Sequence, residues 1–294
     1  MIQSGRNKYG ALEAGGTKMV CAVGYDDGRI LEKVSIPTLE PDKTIPEIIG
    51  FFRDKNISAL GVASFGPVDL DKTSPTYGYI TSTPKKGWGN YPLVSALKEA
   101  LNVPVGFDTD VNGALLGEVT FGSSKGITDA IYITIGTGIG GGVMTNGKLL
   151  HGMMHPELGH MLLRPEEDDK FKGVCPFHGN CFEGLASGPA IEKRWGEKAE
   201  KLYDRDEVWE LEAFYIGQAI ANLIMTLSPK RIILGGGVMH QSKLFPLIRE
   251  AVKKNLNGYI RTPLLEKLDE YIVPASLGDD QGIMGCIKLA AGEM

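Results

Sequence analysis

Tyr9-Gly-Ala-Leu-Glu13-Ala-Gly-Gly-Thr17-Lys18-Met-Val-Cys-Ala-Val23 and Ala130-Ile-Tyr-Ile-Thr-Ile135-Gly-Thr137-Gly-Ile-Gly-Gly-Gly142-Val-Met144 are built to one pattern. In each, an apolar run meets a glycine turn, Gly15-Gly16 or Gly136-Thr137-Gly138, and a second apolar run returns. That pattern reads as strand, tight turn, strand. Outward from the first copy, Asp27-Gly28 turns the chain into a strand over Ile30–Ile36. A helix is expected over Pro46–Asp54, a buried strand over Ala59–Ser64, a helix over Leu93–Leu101 and a strand over Val103–Phe107. Outward from the second copy, Asn146-Gly147 makes another hairpin turn and Pro189 suits the first position of a helix. Ala213, Ile216, Ile220, Leu223, Ile224 and Leu227 fall at three- and four-residue steps and predict a helix over Glu210–Leu227. A strand at Arg231–Leu234, a helix at Leu244–Leu256, a strand at Tyr271–Val273 and a helix at Gly282–Ala291 complete the chain.

Hairpins followed by helix–strand alternation, twice over, predict a duplicated α/β fold of two lobes with a cleft between them. The smaller lobe is expected over 1–115, completed by the terminal helix 282–294, and the larger over 116–281 with an inserted loop at 155–183. A chain of 294 residues exceeds one typical core, which agrees with two lobes. The stretch from Thr73 to Tyr91, rich in Pro, Gly, Thr and Tyr, reads as a long irregular loop of the functional kind.

With 43% hydrophobic and 23% charged residues, the composition is that of an ordinary globular protein. A net charge of −5 with scattered lysines and arginines argues against a nucleic-acid surface. Met1–Lys8 is polar and shows no signal peptide, and no apolar run spans a bilayer. Cys21 and Cys286 lie in apolar patterns and read as reduced core residues. The expected compartment is the cytoplasm.

Four soft ligands gather in the loop: His160 in Glu157-Leu-Gly-His160, then Cys175, His178 and Cys181 in Cys175-Pro-Phe-His178-Gly-Asn-Cys181-Phe-Glu183. Two thiolates and two imidazoles are the donor set of a closed, tetrahedral structural Zn²⁺ site. The CxxHxxC spacing is wrong for a DNA-binding zinc finger, and no basic recognition helix follows. Glu157 and Glu183 flank the ligands without needing to bind metal, as carboxylates of a polyol pocket do.

Three glycine clusters follow apolar strands: Glu13–Lys18, Gly136–Gly142 and Gly235-Gly-Gly237. Glycine lets backbone N–H groups approach phosphate closely. None of the three is a P-loop or a dinucleotide-binding fingerprint. Together they read as a cradle for a nucleoside triphosphate. Phosphoryl transfer then needs a group to take the acceptor's proton. Asp110, in Asp108-Thr-Asp110-Val-Asn112-Gly-Ala-Leu-Leu-Gly-Glu118, is the candidate, at the junction of a strand and a helix. Asp108, Thr109 or Asp110 could equally serve as the helix cap.

The whole set resembles the ROK sugar kinases of the actin–hexokinase–Hsp70 superfamily. Glu13–Lys18, Thr109–Asn112, Ile135–Gly142, Glu157–His160, the Cys175–Cys181 loop, Glu183, Ser187–Ile191 and Leu234–Met239 carry the likeness. The resemblance implies an actin-like ATPase fold with Asp110 as catalytic base. It implies Asn112, Glu157, His160 and Glu183 at the sugar, with His160 also on zinc. It places Thr17, Thr137 and Gly138 by the phosphates, and Pro189, Gly236, Gly237, Val238 and Met239 by adenosine. Where the family usually has Asp-Ile-Gly-Gly-Thr, this chain has Glu13-Ala-Gly-Gly-Thr17, and one cysteine of the usual metal loop is His178. Both variants, and Thr83-Pro-Lys-Lys-Gly-Trp88, look like the bacterial fructokinase branch. The implied activity is ATP- and Mg²⁺-dependent phosphorylation of a hexose, with fructose expected to give fructose 6-phosphate in a zinc-containing homodimer. Glucose, mannose or an N-acetylhexosamine is the alternative substrate. A sugar-sensing regulator is the remoter reading, since a first strand by Tyr9 leaves no room before it for a helix-turn-helix.

Overall fold

A computed structural model describes residues 6–294. Part of the polar Met1–Lys8 segment therefore lies outside the described residues. The chain divides into two compact units. The first holds the chain to Gly126 together with Leu150–His155 and Ser276–Met294. The second holds Ile127–Leu149 and Pro156–Ala275.

In the first unit, Tyr9–Ala14 (β1), Lys18–Gly24 (β2) and Ile30–Pro37 (β3) form an antiparallel meander. Helix Pro41–Phe52 (α1) returns the chain to Ala59–Ser64 (β4), parallel to β1. Helix Leu93–Leu101 (α2) leads to Val105–Thr109 (β5), parallel to β4, and Asp110–Thr120 (α3) follows at once. The sheet order is β3-β2-β1-β4-β5. Every residue of β4 is buried, because helices cover both faces of its sheet. One face packs Leu12, Val62 and Phe107 with Ile48, Phe52 and Leu97 of α1 and α2. The other packs Ala11, Ala22 and Ala63 against Ile283, Cys286 and Ile287 of the C-terminal helix, Gln281–Ala291. That helix crosses α3 so closely that a Cβ on Gly285 would lie 1.8 Å from the Gly113 carbonyl oxygen. Glu118, fully buried near the end of α3, accepts hydrogen bonds from Ser276 N at 2.6 Å and Ser276 Oγ at 2.7 Å. These contacts carry the unit past residue 115, so α3 is not cut by the boundary.

The second unit repeats the plan with Ala130–Ile135 (β6), Ile139–Thr145 (β7) and the two-residue Lys148–Leu149 (β8). Asn146 and Gly147, at φ 50° and 74°, turn β7 into β8 through the left-handed geometry that a tight hairpin needs. Short helices Phe182–Ala186 (α4) and Gly188–Trp195 (α5) precede the long Asp206–Leu227 (α6). Arg231–Gly235 (β9) and Ile272–Pro274 (β10) flank helix Leu244–Leu256 (α7). The order β10-β9-β6-β7-β8, antiparallel through β6, β7 and β8 and parallel through β6, β9 and β10, repeats the first sheet strand for strand.

Several boundaries shift, and α6 begins at Asp206, a turn before the expected Glu210. Helix α1 begins at Pro41, not Pro46, because a proline at the first turn has no N–H to lose there. Pro46 lies inside the helix on its exposed side, while Thr44, Ile45, Ile48 and Phe52 bury the other and hold the turn together. The last strand of each sheet begins later than its apolar run suggests, at Val105 and Ile272, because pairing with β4 and β9 sets its register. No helix among the described residues is long and apolar enough to cross a membrane.

Candidate active site

In the first unit, the β1–β2 turn closes through Gly15 N donating to Lys18 O at 3.0 Å. Thr17 O accepts from Thr38 N at 3.0 Å, and Thr38 Oγ1 donates to Gly15 O at 2.7 Å. The Lys85 ammonium also donates to the Gly16 carbonyl. Lys85 is held there by its neighbour Trp88, which is fully buried, donates Nε1–H to Leu39 O at 2.8 Å and packs edge-on against Phe65 and Tyr91. The Thr83–Trp88 stretch, read from sequence as irregular, is thus anchored against the turn that carries Thr17.

Asp110 is the first residue of α3. Thr109 is the cap, its Oγ1 accepting from Asn112 N at 3.2 Å, so capping does not account for Asp110. The Asp110 carboxylate accepts from Val111 N at 2.8 Å, where the helix N-terminus favours negative charge. Asn112 sits two residues further along α3 and is fully buried. It donates Nδ2–H to Asp108 Oδ1 at 2.6 Å, and the second Asp108 oxygen is 2.9 Å from His151 Nε2. Asn112 Nδ2 is thus engaged by Asp108, while its buried Oδ1 has no hydrogen-bond partner among the described residues. Sequence reasoning missed His151, because its partner is 43 positions away and no local spacing marks the pair.

Glu13, on β1, has its carboxyl pushed up to about 7, first by burial and then by the charge of Asp110, with Lys18 opposing. Between its ordinary value of 4.5 and about 7, folded Glu13 keeps a proton that the unfolded chain has released. Stability therefore falls across that window as pH rises, and the deficit persists above it. Glu13→Gln should accordingly raise Tm at pH 8, by roughly 3 °C for a relief on the order of 2 kcal/mol. At pH 4 the two proteins should melt alike, and thermal denaturation at both pH values checks this. Equal Tm at pH 8 would contradict it.

In the second unit, Gly136-Thr137-Gly138 forms the tight turn between β6 and β7, with Gly136 N donating to Gly138 O at 2.9 Å. Glu183 Oε2 accepts from Ile139 N at 2.9 Å, close enough that a Cβ on Gly138 would lie 2.8 Å from it. Ser187 caps α5, and Gly188 N donates to Gly136 O at 2.8 Å, which sets the start of α5 beside the turn. A cavity of about 620 Å³ opens here, lined by Thr137, Pro189, Gly237 and Val238 from the expected set and by Glu192, Lys198, Tyr203 and Trp209 besides. Its volume suits a ligand the size of a nucleoside. Gly138, Gly236 and Met239 belong to the same turns: Gly138 beside Thr137, and Gly236 and Met239 joined by Met239 N donating to Gly236 O at 3.0 Å.

His160, Cys175, His178 and Cys181 converge, their ligand atoms all within 4.8 Å of one another. Cys175 Sγ is 3.7 Å from His160 Nδ1 and 3.6 Å from His178 Nδ1, and Cys181 Sγ is 3.6 Å from His160 Nδ1. Tetrahedral Zn²⁺, with bonds of about 2.3 Å to sulfur and 2.0–2.1 Å to nitrogen, needs S···N edges of about 3.5 Å. The donors fit that ion. The loop leading to Cys175 is held by Asp169, which accepts from Tyr215 Oη at 2.6 Å and pairs with Arg194 at 3.2 Å. Glu183 follows Cys181 on α4, and Glu157 O accepts from His160 N at 3.0 Å. Glu157 is exposed and Glu183 half-buried.

The sequence matches the ROK family over residues 9–293. It is 54% identical over 282 residues to a putative fructokinase of Bacillus subtilis, covering 96% of this chain and 94% of that one. It is 46% identical over 281 residues to a fructokinase of Pediococcus pentosaceus, covering 96% of each. It is 30% identical over 322 residues to a glucokinase of Halalkalibacterium halodurans, covering 94% of this chain and 93% of that one. Among solved structures, a ROK family glucokinase from Streptomyces griseus in complex with glucose and AMPPNP superposes with a TM-score of 0.75 at 25% identity, over 98% of this chain and 100% of that one. By sequence over nearly its whole length and by fold, the chain belongs to the ROK family.

Proposed function

We propose that the protein is an ATP-dependent fructokinase that converts D-fructose to D-fructose 6-phosphate. The observation that carries the chemistry is Asp110, a carboxylate on the first residue of α3 whose capping duty Thr109 has taken over. Asp110 accepts the proton of the sugar hydroxyl as that oxygen bonds to the γ-phosphorus. The bond from phosphorus to the β–γ bridging oxygen breaks, and ADP leaves. Mg²⁺, when bound, neutralises charge developing on the phosphates. Backbone N–H groups of the turns at Thr17 and at Thr137–Gly138 supply fixed donors for phosphate oxygens. Pro189 and Gly236–Met239 hold the adenosine, in keeping with the cavity that Pro189, Gly237 and Val238 line. His160, Cys175, His178 and Cys181 would hold Zn²⁺, which would fix the loop from which Glu157, His160 and Glu183 reach the sugar. The four free cysteines suit a reducing cytoplasm.

Fructose is favoured by the identity of 54% and 46% to relatives named fructokinase against 30% for one named glucokinase. Each polar group of a closed pocket must find a hydroxyl partner, and one left unpaired costs about 1–3 kcal/mol. Fructose and glucose present their hydroxyls differently, so kcat/KM for fructose should exceed that for glucose, mannose and N-acetylglucosamine by about tenfold or more. Side-by-side assays of ADP release decide it, and a higher kcat/KM for glucose would overturn the fructose assignment.

A further inference from the structure

After β8, the chain rejoins the first unit only for Leu150–His155 before the second resumes at Pro156. Both histidines of that short return bond to the first unit. His155 Nε2 accepts from Val68 N at 3.3 Å, which fixes the segment against the loop after β4. His151 Nε2 lies 2.9 Å from Asp108 Oδ2. Asp108 is 3% exposed, whereas the His151 side chain is 40% exposed. A carboxylate only accepts, so Nε2 must carry the hydrogen and donate it. The other Asp108 oxygen is occupied by Asn112 Nδ2–H, which leaves the carboxylate no freedom to turn away. The tautomer of His151 is thereby set, and Nδ1 is the nitrogen left over. Nδ1 makes no hydrogen bond among the described residues, and the ring lines a cavity of about 550 Å³ with Pro67, Thr81, Lys72 and Met153.

We propose that His151 is a sugar-binding residue, its tautomer set by Asp108, that accepts a substrate hydroxyl at Nδ1 in this cavity, with Asn112 as the positioning residue behind Asp108. The arrangement suits a polyol. An imidazole locked at one nitrogen offers the other as an acceptor of fixed direction, and a fixed acceptor binds a hydroxyl without losing rotamer freedom. The hydrogen bond to Asp108 raises the pKa of His151 against the opposing effect of burial, so the open acceptor at Nδ1 belongs to the neutral ring that prevails as pH rises. The proposal rests on the sugar kinase reading above and adds to it a residue that the motifs do not mark.

His151→Gln and His151→Ala separate the roles, since a glutamine amide can still donate to Asp108 from the Nε2 position but offers nothing at Nδ1. His151→Gln should raise KM for fructose about tenfold, with kcat, KM for ATP and Tm close to those of the parent, as expected for a lost ground-state contact. His151→Ala should show at least the same KM effect. A glutamine variant that restores parental KM while the alanine variant does not would reduce His151 to a support for Asp108 and overturn the proposal, as would parental KM in both. Should the parent phosphorylate no hexose, the kinase reading fails on its own. Calorimetric titration of fructose into the parent and His151→Gln then decides this proposal. Binding by the parent that weakens about tenfold in the variant supports it, and equal or absent binding overturns it.

Discussion

Asp110→Asn is expected to lower kcat for fructose by about a hundredfold or more, with the melting temperature and ATP binding retained. The asparagine keeps the shape of the side chain and its place on the first turn of α3, and it removes only proton acceptance. Because Thr109 makes the capping hydrogen bond, the variant should not show the loss of about 1 kcal/mol that follows deletion of a cap. Thr109→Ala is the complementary control and should show that loss. Comparable kcat in Asp110→Asn and the parent would remove Asp110 from the chemistry.

Metal removal should have the second large effect. With four donors spaced for a closed tetrahedral shell, an ion held there would have no position left for metal-bound water and would act on structure alone. Cys175 and Cys181 are buried, and stripping the ion leaves two thiols and two imidazoles crowded without a partner. A strong chelator should lower Tm by roughly 5 °C, corresponding to about 3 kcal/mol in a chain of this size, and should raise KM for the sugar as the Glu157–Glu183 loop loosens. Elemental analysis of the purified chain should find one zinc per protomer. No zinc, or a Cys175→Ser and Cys181→Ser double variant with parental melting and KM, would contradict the assignment.

How legible these features were depends on the range over which they are encoded. Ala59–Ser64, Ala130–Ile135, Leu93–Leu101 and Leu244–Leu256 match their expected spans residue for residue, because apolar periodicity within each segment dictates them. The start of α1 was misplaced because Pro41 and Pro46 both look like first-turn prolines, and only burial of Thr44 and Ile45 distinguishes them. The two-residue β8 has too few residues to show a period. The clustering of His160, Cys175, His178 and Cys181 could be anticipated because three of them lie within one short loop. His151 could not, since its meaning comes from Asp108 on another element.

Formation of fructose 6-phosphate tests the central claim most directly. With ATP, Mg²⁺ and D-fructose supplied, phosphoglucose isomerase and glucose 6-phosphate dehydrogenase report that product as NADPH while ADP is assayed in parallel. The account predicts one fructose 6-phosphate for each ADP, dependent on Asp110. ADP released without fructose 6-phosphate, or neither product from the intact protein, would contradict it.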